Sequence, residues 1–275
     1  MTHLLFWIAV ALVTAYALGV AIYVWISYLA AISHQEPRPL AHHLGHAFWE
    51  GLPSFLVEPL LPLYYVIGRR MGGPARGQPV VFVHGYLQNR VIFIGLARRL
   101  ARRGVGPLYG FNYASYQDIE RSAERLGAFI EGVCQEQGTP TVDLVCHSLG
   151  GIVGAEYTRA HPERVRCCVT VASPHAGVAW RGPLFRQGGN QLRREGAFLV
   201  ERARKPIPVP LLSIYSTHDN VVYPKETSAR IHIGGRDVVI GGVGHLAALF
   251  EARTADEIAT FLDNIGPQPR DNPAA

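Results

Sequence analysis

The chain is poor in charged residues and in cysteine, and both shortages limit the classes of protein to which it can belong. Only 17% of its 275 residues are charged, against 48% hydrophobic, and four are cysteine. Cys167 and Cys168 are adjacent on a predicted strand and face opposite ways, while Cys146 lies inside the predicted sheet, so buried free thiols are expected. No internal repeat or glycine-rich phosphate loop is evident, and the length suits one sizeable core with an extension.

Residues 4–32 contain no charged side chain. As a helix this run is roughly 43 Å long at about 1.5 Å per residue, more than the roughly 30 Å of a bilayer core. Trp7 lies near one end, and Tyr23, Trp25 and Tyr28 near the other, as in aromatic belts. No Lys or Arg precedes the run and no small-residue cleavage site follows it, which favours a retained single-pass anchor over a cleaved signal peptide.

Residues 33–77 form a histidine-rich linker that ends in a broken apolar stretch, residues 52–67. Prolines and Glu58 interrupt this stretch, so it either lies in the membrane interface or covers the domain rather than spanning the bilayer. His42 and His46 share a helical face, but no third ligand stands out, and neither a metal site nor a cofactor is expected. Four arginines follow the anchor and none precede it, which favours a cytoplasmic domain: Arg38, Arg69, Arg70 and Arg76.

The segment TVDLVCHSLGGIVGAEY, residues 141–157, has the pattern of a buried strand followed by a helix, with Ser148 between them. Gly150 and Gly151 permit a sharp turn, and the first helical turn directs its backbone N–H groups at the serine. We interpret Ser148 as a nucleophile, the alternative being a serine that only caps the helix. Cys146 stands where the G-x-S-x-G pattern has its first glycine.

Two further residues follow predicted strands in the order that a Ser-Asp-His triad requires. Asp219 lies in the polar loop after the strand at 211–215, and His245 lies in a glycine-rich loop after the strand at 237–240. Carboxyl ends of such strands gather active sites. In this interpretation His245 takes the proton of Ser148 and Asp219 fixes the imidazole tautomer. His218 is interpreted as a solvated loop residue.

The segment QPVVFVHGYLQNR, residues 78–90, supplies an oxyanion site. A strand runs through residues 80–83, and His84 with Gly85 turns the chain so that the next backbone N–H faces the nucleophile. The predicted donors are the N–H groups of Tyr86 and Leu149. His84 is given a structural role in the same loop.

Five motifs occur in order: VVFVHGY at 80–86, VCHSLGG at 145–151, ASPHAG at 172–177, SIYSTHDNVVYP at 213–224 and GVGHL at 242–246. With them the chain resembles the lipase and esterase branch of the α/β-hydrolase superfamily, specifically the small bacterial triacylglycerol lipases, over roughly residues 78–265. The resemblance implies carboxylic-ester hydrolysis through an acyl-enzyme on Ser148, with Asp219 and His245 completing the triad. It implies Tyr86 and Leu149 as oxyanion donors.

Alternating strands and helices predict a mostly parallel sheet with helices on both faces. The resemblance implies that this sheet is an α/β-hydrolase fold over residues 78–268. A lid is expected at 178–206 and a flexible tail at 269–275. Four lid side chains either line an acyl site or pack the cap: Trp180, Phe185, Phe198 and Leu199. The lid is rich in arginine and the net charge is +5, which favours anionic headgroups, while no module for nucleic acid is recognised.

The sequence therefore predicts a membrane-anchored serine ester hydrolase that acts on lipid or other acyl esters. Two alternatives remain at this point. An acyltransferase uses the same triad but passes the acyl group to an alcohol, and a catalytically silent hydrolase fold serves as a membrane binding module.

Overall fold

One central sheet organises the part of the chain that the structure, a computed structural model, describes: residues 2–34, 39–179 and 186–265. The predicted lid residues Trp180 and Phe185 and the predicted tail lie outside these ranges. Within them the strands are β1 (Arg70–Gly72), β2 (Val80–Val83), β3 (Leu108–Phe111), β4 (Val142–His147), β5 (Val165–Val171), β6 (Leu211–Ser216) and β7 (Arg236–Ile240). The α-helices are α1 (Thr2–Ala31), α2 (Leu40–Val57), α3 (Ile94–Arg102), α4 (Ile119–Gln137), α5 (Leu149–Ala160), α6 (Arg186–Gln191), α7 (Ala197–Ala203) and α8 (Ala252–Asn264).

Short 3₁₀ helices connect these elements: Ile32–His34, Glu58–Tyr65, Arg90–Phe93, Pro162–Arg164, Lys225–Thr227, Ile231–Ile233 and Ala247–Leu249. Among the described residues the strand order is β1-β3-β2-β4-β5-β6-β7. Only β1 runs antiparallel to its neighbour among these pairs. The predicted mostly parallel sheet is confirmed. The sequence analysis missed β1, because three residues inside a linker carry no strand pattern.

Both faces of the sheet are covered, which explains why β2, β4 and β5 are buried along their whole length. Helices α3 and α8 pack on one face, and α4 and α5 pack on the other. Strands enclosed in this way read as continuous apolar runs instead of alternating ones. The same runs made these strands recognisable in the sequence.

Helix α1 is long and apolar enough to cross a membrane, with a mean hydropathy of 2.3 over its most apolar window. Its last turns are nevertheless attached to the domain. The Asn220 amide donates to the Ser27 hydroxyl at 2.6 Å, and the His34 ring stacks on Tyr223 with centroids 5.1 Å apart. The C-terminal end of α1 therefore contacts the loop that follows β6.

Helix α2 and the 3₁₀ helix after it contain the apolar stretch at 52–67, and they cover the domain with one face. Val57 and Leu61 pack against the core, and the guanidinium of Arg90 donates to the Tyr64 carbonyl at 2.8 Å. The other face leaves apolar side chains exposed: Leu44, Phe48, Trp49, Leu52, Leu56, Leu60, Leu63, Tyr65 and Val66. The segment covers the domain and also presents an apolar surface outward.

The glycine that the turn at Ser148 lacks at position 146 is compensated on the facing helix. Cys146 is fully buried, and a Cβ atom at Gly154 of α5 would lie 2.7 Å from its Sγ. Gly150 is equally constrained, because a Cβ atom there would collide with the Val83 carbonyl oxygen. Helix α5 therefore packs against β4 and β2 only with glycine at these positions, and Gly154 makes the room that the thiol occupies.

Gly154→Ala is expected to destabilise the protein by about 1–3 kcal/mol, the usual cost of overpacking, despite the gain of up to about 1 kcal/mol for alanine over glycine in a helix. In a Cys146→Gly background the same change is expected to be neutral or stabilising, since the clash is gone. Unfolding free energies of the four proteins give the coupling. A coupling near zero would contradict compensation.

Candidate active site

Ser148 adopts a strained backbone conformation at the junction of β4 and α5. Its φ is 54° and its ψ is −126°, which cost a non-glycine residue of order 1–3 kcal/mol. Two backbone hydrogen bonds hold it, from Ser148 N–H to the Val171 carbonyl at 3.0 Å and from Gly151 N–H to the Ser148 carbonyl at 2.9 Å. The hydroxyl makes no capping hydrogen bond to α5. The interpretation of Ser148 as a helix-capping serine therefore fails.

His245 and Asp219 form a buried pair. His245 Nδ1 donates to Asp219 Oδ2 at 2.9 Å, and the other carboxylate oxygen accepts the N–H groups of Val221 and Val222 at 2.8 and 2.7 Å. The backbone N–H of His245 donates to the side-chain carbonyl oxygen of Asn220 at 3.0 Å. With Nδ1 protonated toward the carboxylate, Nε2 of the neutral ring is a proton acceptor.

The residue beside Ser148 connects β4 to the His245 loop. The ring of His147 lies 4.8 Å from the ring of His245, centroid to centroid, and its Nε2 lies 3.3 Å from the His245 carbonyl oxygen. Burial lowers the pKa of His147 well below its usual value, so the ring is neutral and donates to that carbonyl. The structure thus pairs Asp219 with His245 after β6 and β7, and it brings His147, the neighbour of Ser148 at the end of β4, against His245. The sequence analysis did not single out His147.

The loop after β2 approaches Ser148 closely. A Cβ atom at Gly85 would lie 3.0 Å from Ser148 Cβ, so only glycine lets the backbone come this near. Tyr86 follows it directly, and Leu149 is the first residue of α5, where a backbone N–H has no acceptor inside the helix. Both predicted oxyanion donors therefore belong to segments that border the serine.

His84 stabilises the same loop, as the sequence suggested. Its Nδ1 donates to the Gly85 carbonyl at 2.9 Å, and its ring stacks on Tyr113 with centroids 4.4 Å apart. Burial lowers the pKa of His84 to about 4, so this ring is uncharged at neutral pH.

Glu50 of α2 enters the site, and the sequence analysis missed it. Its side chain is 2% exposed and accepts the N–H groups of Leu246 and Ala247, both at 2.9 Å. Burial raises the pKa of Glu50 to about 7, partly offset by these two N–H groups. Gly244 has no room for a Cβ atom because the Glu50 carboxylate occupies the space. Glu50 therefore holds the loop that carries His245.

The charges around His245 favour its protonated form. Burial lowers the pKa of the imidazole, but the charge of Asp219, its hydrogen bond and the charge of Glu50 outweigh burial and raise that pKa above the usual value. A pair that stabilises imidazolium suits a group that accepts a proton during a reaction.

The interpretation of His218 as a solvated residue is wrong. The side chain is 1% exposed, because α2 covers its loop. Its ring lies 4.8 Å from that of His46 and 5.6 Å from that of His42, centroid to centroid. The expectation that these two histidines lack a third partner is also wrong. Contacts between α2 and a loop so distant in sequence leave no local pattern.

The described lid residues pack within the cap. Leu199 is 1% exposed in the core cluster of α4 and α5, and Phe198 is half-buried beneath the Arg202 guanidinium, 3.8 Å from its ring centroid. Arg202 also pairs with Glu156 at 2.5 Å. An acyl-binding role for Phe198 and Leu199 stays a prediction.

Comparison with known proteins agrees with this architecture. The family model of the alpha/beta hydrolase fold matches residues 78–184, which include β2, the loop after it and the Ser148 turn. The chain has the α/β-hydrolase fold. Over 126 residues the chain is 31% identical to the pimeloyl-[acyl-carrier protein] methyl ester esterase of Aeromonas hydrophila, with 42% of the chain and 48% of that protein covered. The chain thus spans about half the length of that curated relative.

Solved structures show the same fold at low identity. Lipase B of Aspergillus fumigatus superposes with a TM-score of 0.62 at 17% identity, over 72% of this chain and 57% of that one. A membrane phospholipase A, described as a bacterial virulence factor, superposes with a TM-score of 0.51 at 19% identity, over 82% and 97%.

Glu50→Gln tests the buried carboxyl. Because the folded-state pKa of Glu50 is about 7 and its usual value is 4.5, the native protein loses stability as pH rises through this window, and glutamine has no such dependence. At about pH 4.5 the variant is expected to be less stable than the wild type by about 1–3 kcal/mol, because one buried hydrogen bond is lost. This difference in unfolding free energy is expected to shrink between about pH 4.5 and 7. Denaturant unfolding across this range measures the difference.

Glu163→Gln is the matched control, because that side chain is 65% exposed. A deficit of Glu50→Gln that stays constant with pH would contradict a raised pKa at Glu50.

Proposed function

We propose that this α/β-hydrolase is a serine carboxylic-ester hydrolase that α1 anchors in a membrane and that cleaves acyl esters of lipids. The observation that carries the proposal is the strained turn at Ser148, together with the buried His245–Asp219 pair at the same edge of the sheet. A hydroxyl held out of a helix cap and a histidine oriented by a carboxylate are the parts that nucleophilic acyl transfer requires.

In the proposed mechanism His245 Nε2 takes the proton of the Ser148 hydroxyl while Oγ attacks the ester carbonyl carbon. The carbonyl π electrons move to oxygen, and the N–H groups of Tyr86 and Leu149 stabilise this oxyanion. Collapse expels the alcohol, which receives the proton from His245, and leaves an acyl ester on Ser148. A water molecule then repeats the sequence, releasing the carboxylic acid and the free serine. Asp219 stabilises the imidazolium in both halves.

The contacts of α1 support a lipid substrate. The Ser27 hydroxyl near the end of α1 bonds Asn220, the neighbour of Asp219, at 2.6 Å. The anchor therefore ends beside the acid loop, and the outward apolar face of α2 lies next to it. Such a site lies at the level of the bilayer surface, where lipid esters are concentrated. The structural likeness to a membrane phospholipase A agrees with this placement.

Surface charge supports the same placement. Each basic residue near an anionic bilayer contributes about 1 kcal/mol of attraction, and the lid contains exposed arginines such as Arg194 and Arg204. The arginines that follow the anchor favour a domain on the cytoplasmic side.

Ser148→Ala is expected to lower kcat by about 10⁶-fold and to abolish labelling by a fluorophosphonate, because the attacked hydroxyl is gone. Asp219→Asn is expected to lower kcat by about 10⁴-fold through the wrong imidazole tautomer. Ester hydrolysis by purified protein in detergent measures both. Asp256→Asn is the matched control, since that aspartate lies on α8, is 55% exposed and pairs with Arg103.

The alternatives give different outcomes. A folded wild-type protein that resists the fluorophosphonate would indicate a silent binding module. Acyl transfer to an added alcohol as the main reaction, with little free acid, would indicate an acyltransferase.

Long acyl esters are expected to be hydrolysed faster than acetyl esters, because a site beside the bilayer and an apolar α2 face bind extended chains. A series of p-nitrophenyl esters, followed by phospholipid vesicles, measures kcat/KM, with Ser148→Ala as background. Equal or better turnover of the acetyl ester would contradict a lipid substrate.

A further inference from the structure

Three histidines from distant parts of the chain converge beside the acid loop. His42 and His46 lie one turn apart on α2, with their Nε2 atoms 2.7 Å from each other. His218 precedes Asp219 in the loop after β6, and one ring nitrogen from each of the three residues lies within 4.8 Å of the others. Ligand nitrogens around a tetrahedral zinc ion are about 3.4 Å apart, so small ring rotations bring all three to one ion.

We propose that His42, His46 and His218 bind a zinc ion that links α2 to the loop carrying Asp219. Three imidazoles without a carboxylate select a borderline transition metal and disfavour Ca²⁺ and Mg²⁺, which prefer oxygen ligands. Of the three side chains, His218 is buried, His46 is half-buried and His42 is exposed. The exposed side leaves the fourth coordination position open to water.

The surroundings of the cluster suit ligation. His218 Nδ1 accepts the Gly242 N–H at 3.3 Å and lies 2.7 Å from the Thr217 hydroxyl. A metal ion on Nε2 requires the tautomer with the proton on Nδ1, and the Thr217 hydroxyl oxygen is placed to accept that proton. Metal-ligating histidines generally donate their second ring N–H in this way. The proposal is independent of ester hydrolysis, because it depends only on the three ring positions.

The ring of His46 packs closely against the loop after β7. A Cβ atom at Gly242 would lie 2.7 Å from His46 Cε1. A metal ion at the cluster therefore links α2 to the loop after β6, and His46 in turn packs against the loop after β7. These segments carry Glu50, Asp219 and His245, so metal binding holds the helix next to the anchor in register with the candidate site.

The test uses the full chain in detergent micelles, purified without a polyhistidine tag and stripped with EDTA. Zinc is then titrated in competition with a chromophoric chelator. One Zn²⁺ per chain is expected, and Ca²⁺ and Mg²⁺ should not compete. His42→Ala and His46→Ala should each weaken affinity by more than about 100-fold, beyond the roughly 10–100-fold expected of Thr217→Val, which removes only the outer partner.

His232→Ala is the matched control, an exposed histidine on the 3₁₀ helix Ile231–Ile233, and it should bind zinc like the wild type. Circular dichroism in EDTA establishes that each variant is folded, and Co²⁺ provides a second readout through the visible bands of a tetrahedral site. Absence of stoichiometric zinc, full binding by a folded His42→Ala and His46→Ala double variant, or an equal loss in His232→Ala would overturn the proposal.

Discussion

The left-handed backbone of Ser148 is the constraint on which the rest of the candidate site depends. A strand and a helix that meet at such a sharp turn must pack closely, and the packing leaves no room for side chains at Gly150 and Gly154. The strain persists because the packing around the enclosed sheet holds the Ser148 backbone in this conformation. In return, the serine side chain stands clear of the helix cap, at the edge where β6 and β7 also end.

Helix α2 connects the apolar N-terminal helix α1 to the candidate site. Glu50 bonds two consecutive backbone N–H groups after His245, and His42 with His46 contacts the residue before Asp219. One helix therefore contacts both loops that carry Asp219 and His245. Its opposite face is apolar and exposed, so any contact that shifts α2 also changes the geometry of these loops.

The sequence predicted the core well because its signals are local. Short, largely apolar runs identified β2, β4, β5 and β6, and the glycines after Ser148 identified α5 with its observed bounds. Strand β1 was not predicted, since it forms by pairing with β3 and its three residues have no strand pattern of their own. The missing glycine at Cys146 looked like a defect in the motif. Its compensation by Gly154 emerges only when helix and strand are seen in contact.

The amino-acid sequence by itself determined the parallel α/β architecture, the apolar N-terminal helix and the positions of Ser148, Asp219 and His245, because each of these follows from a short periodic or turn pattern. Only the tertiary structure decided that α2 covers the acid loop, that Glu50 is buried beside His245 and that His218 is shielded from solvent. These facts depend on contacts between residues far apart in the chain. Such contacts follow from how whole elements pack, which no local pattern records.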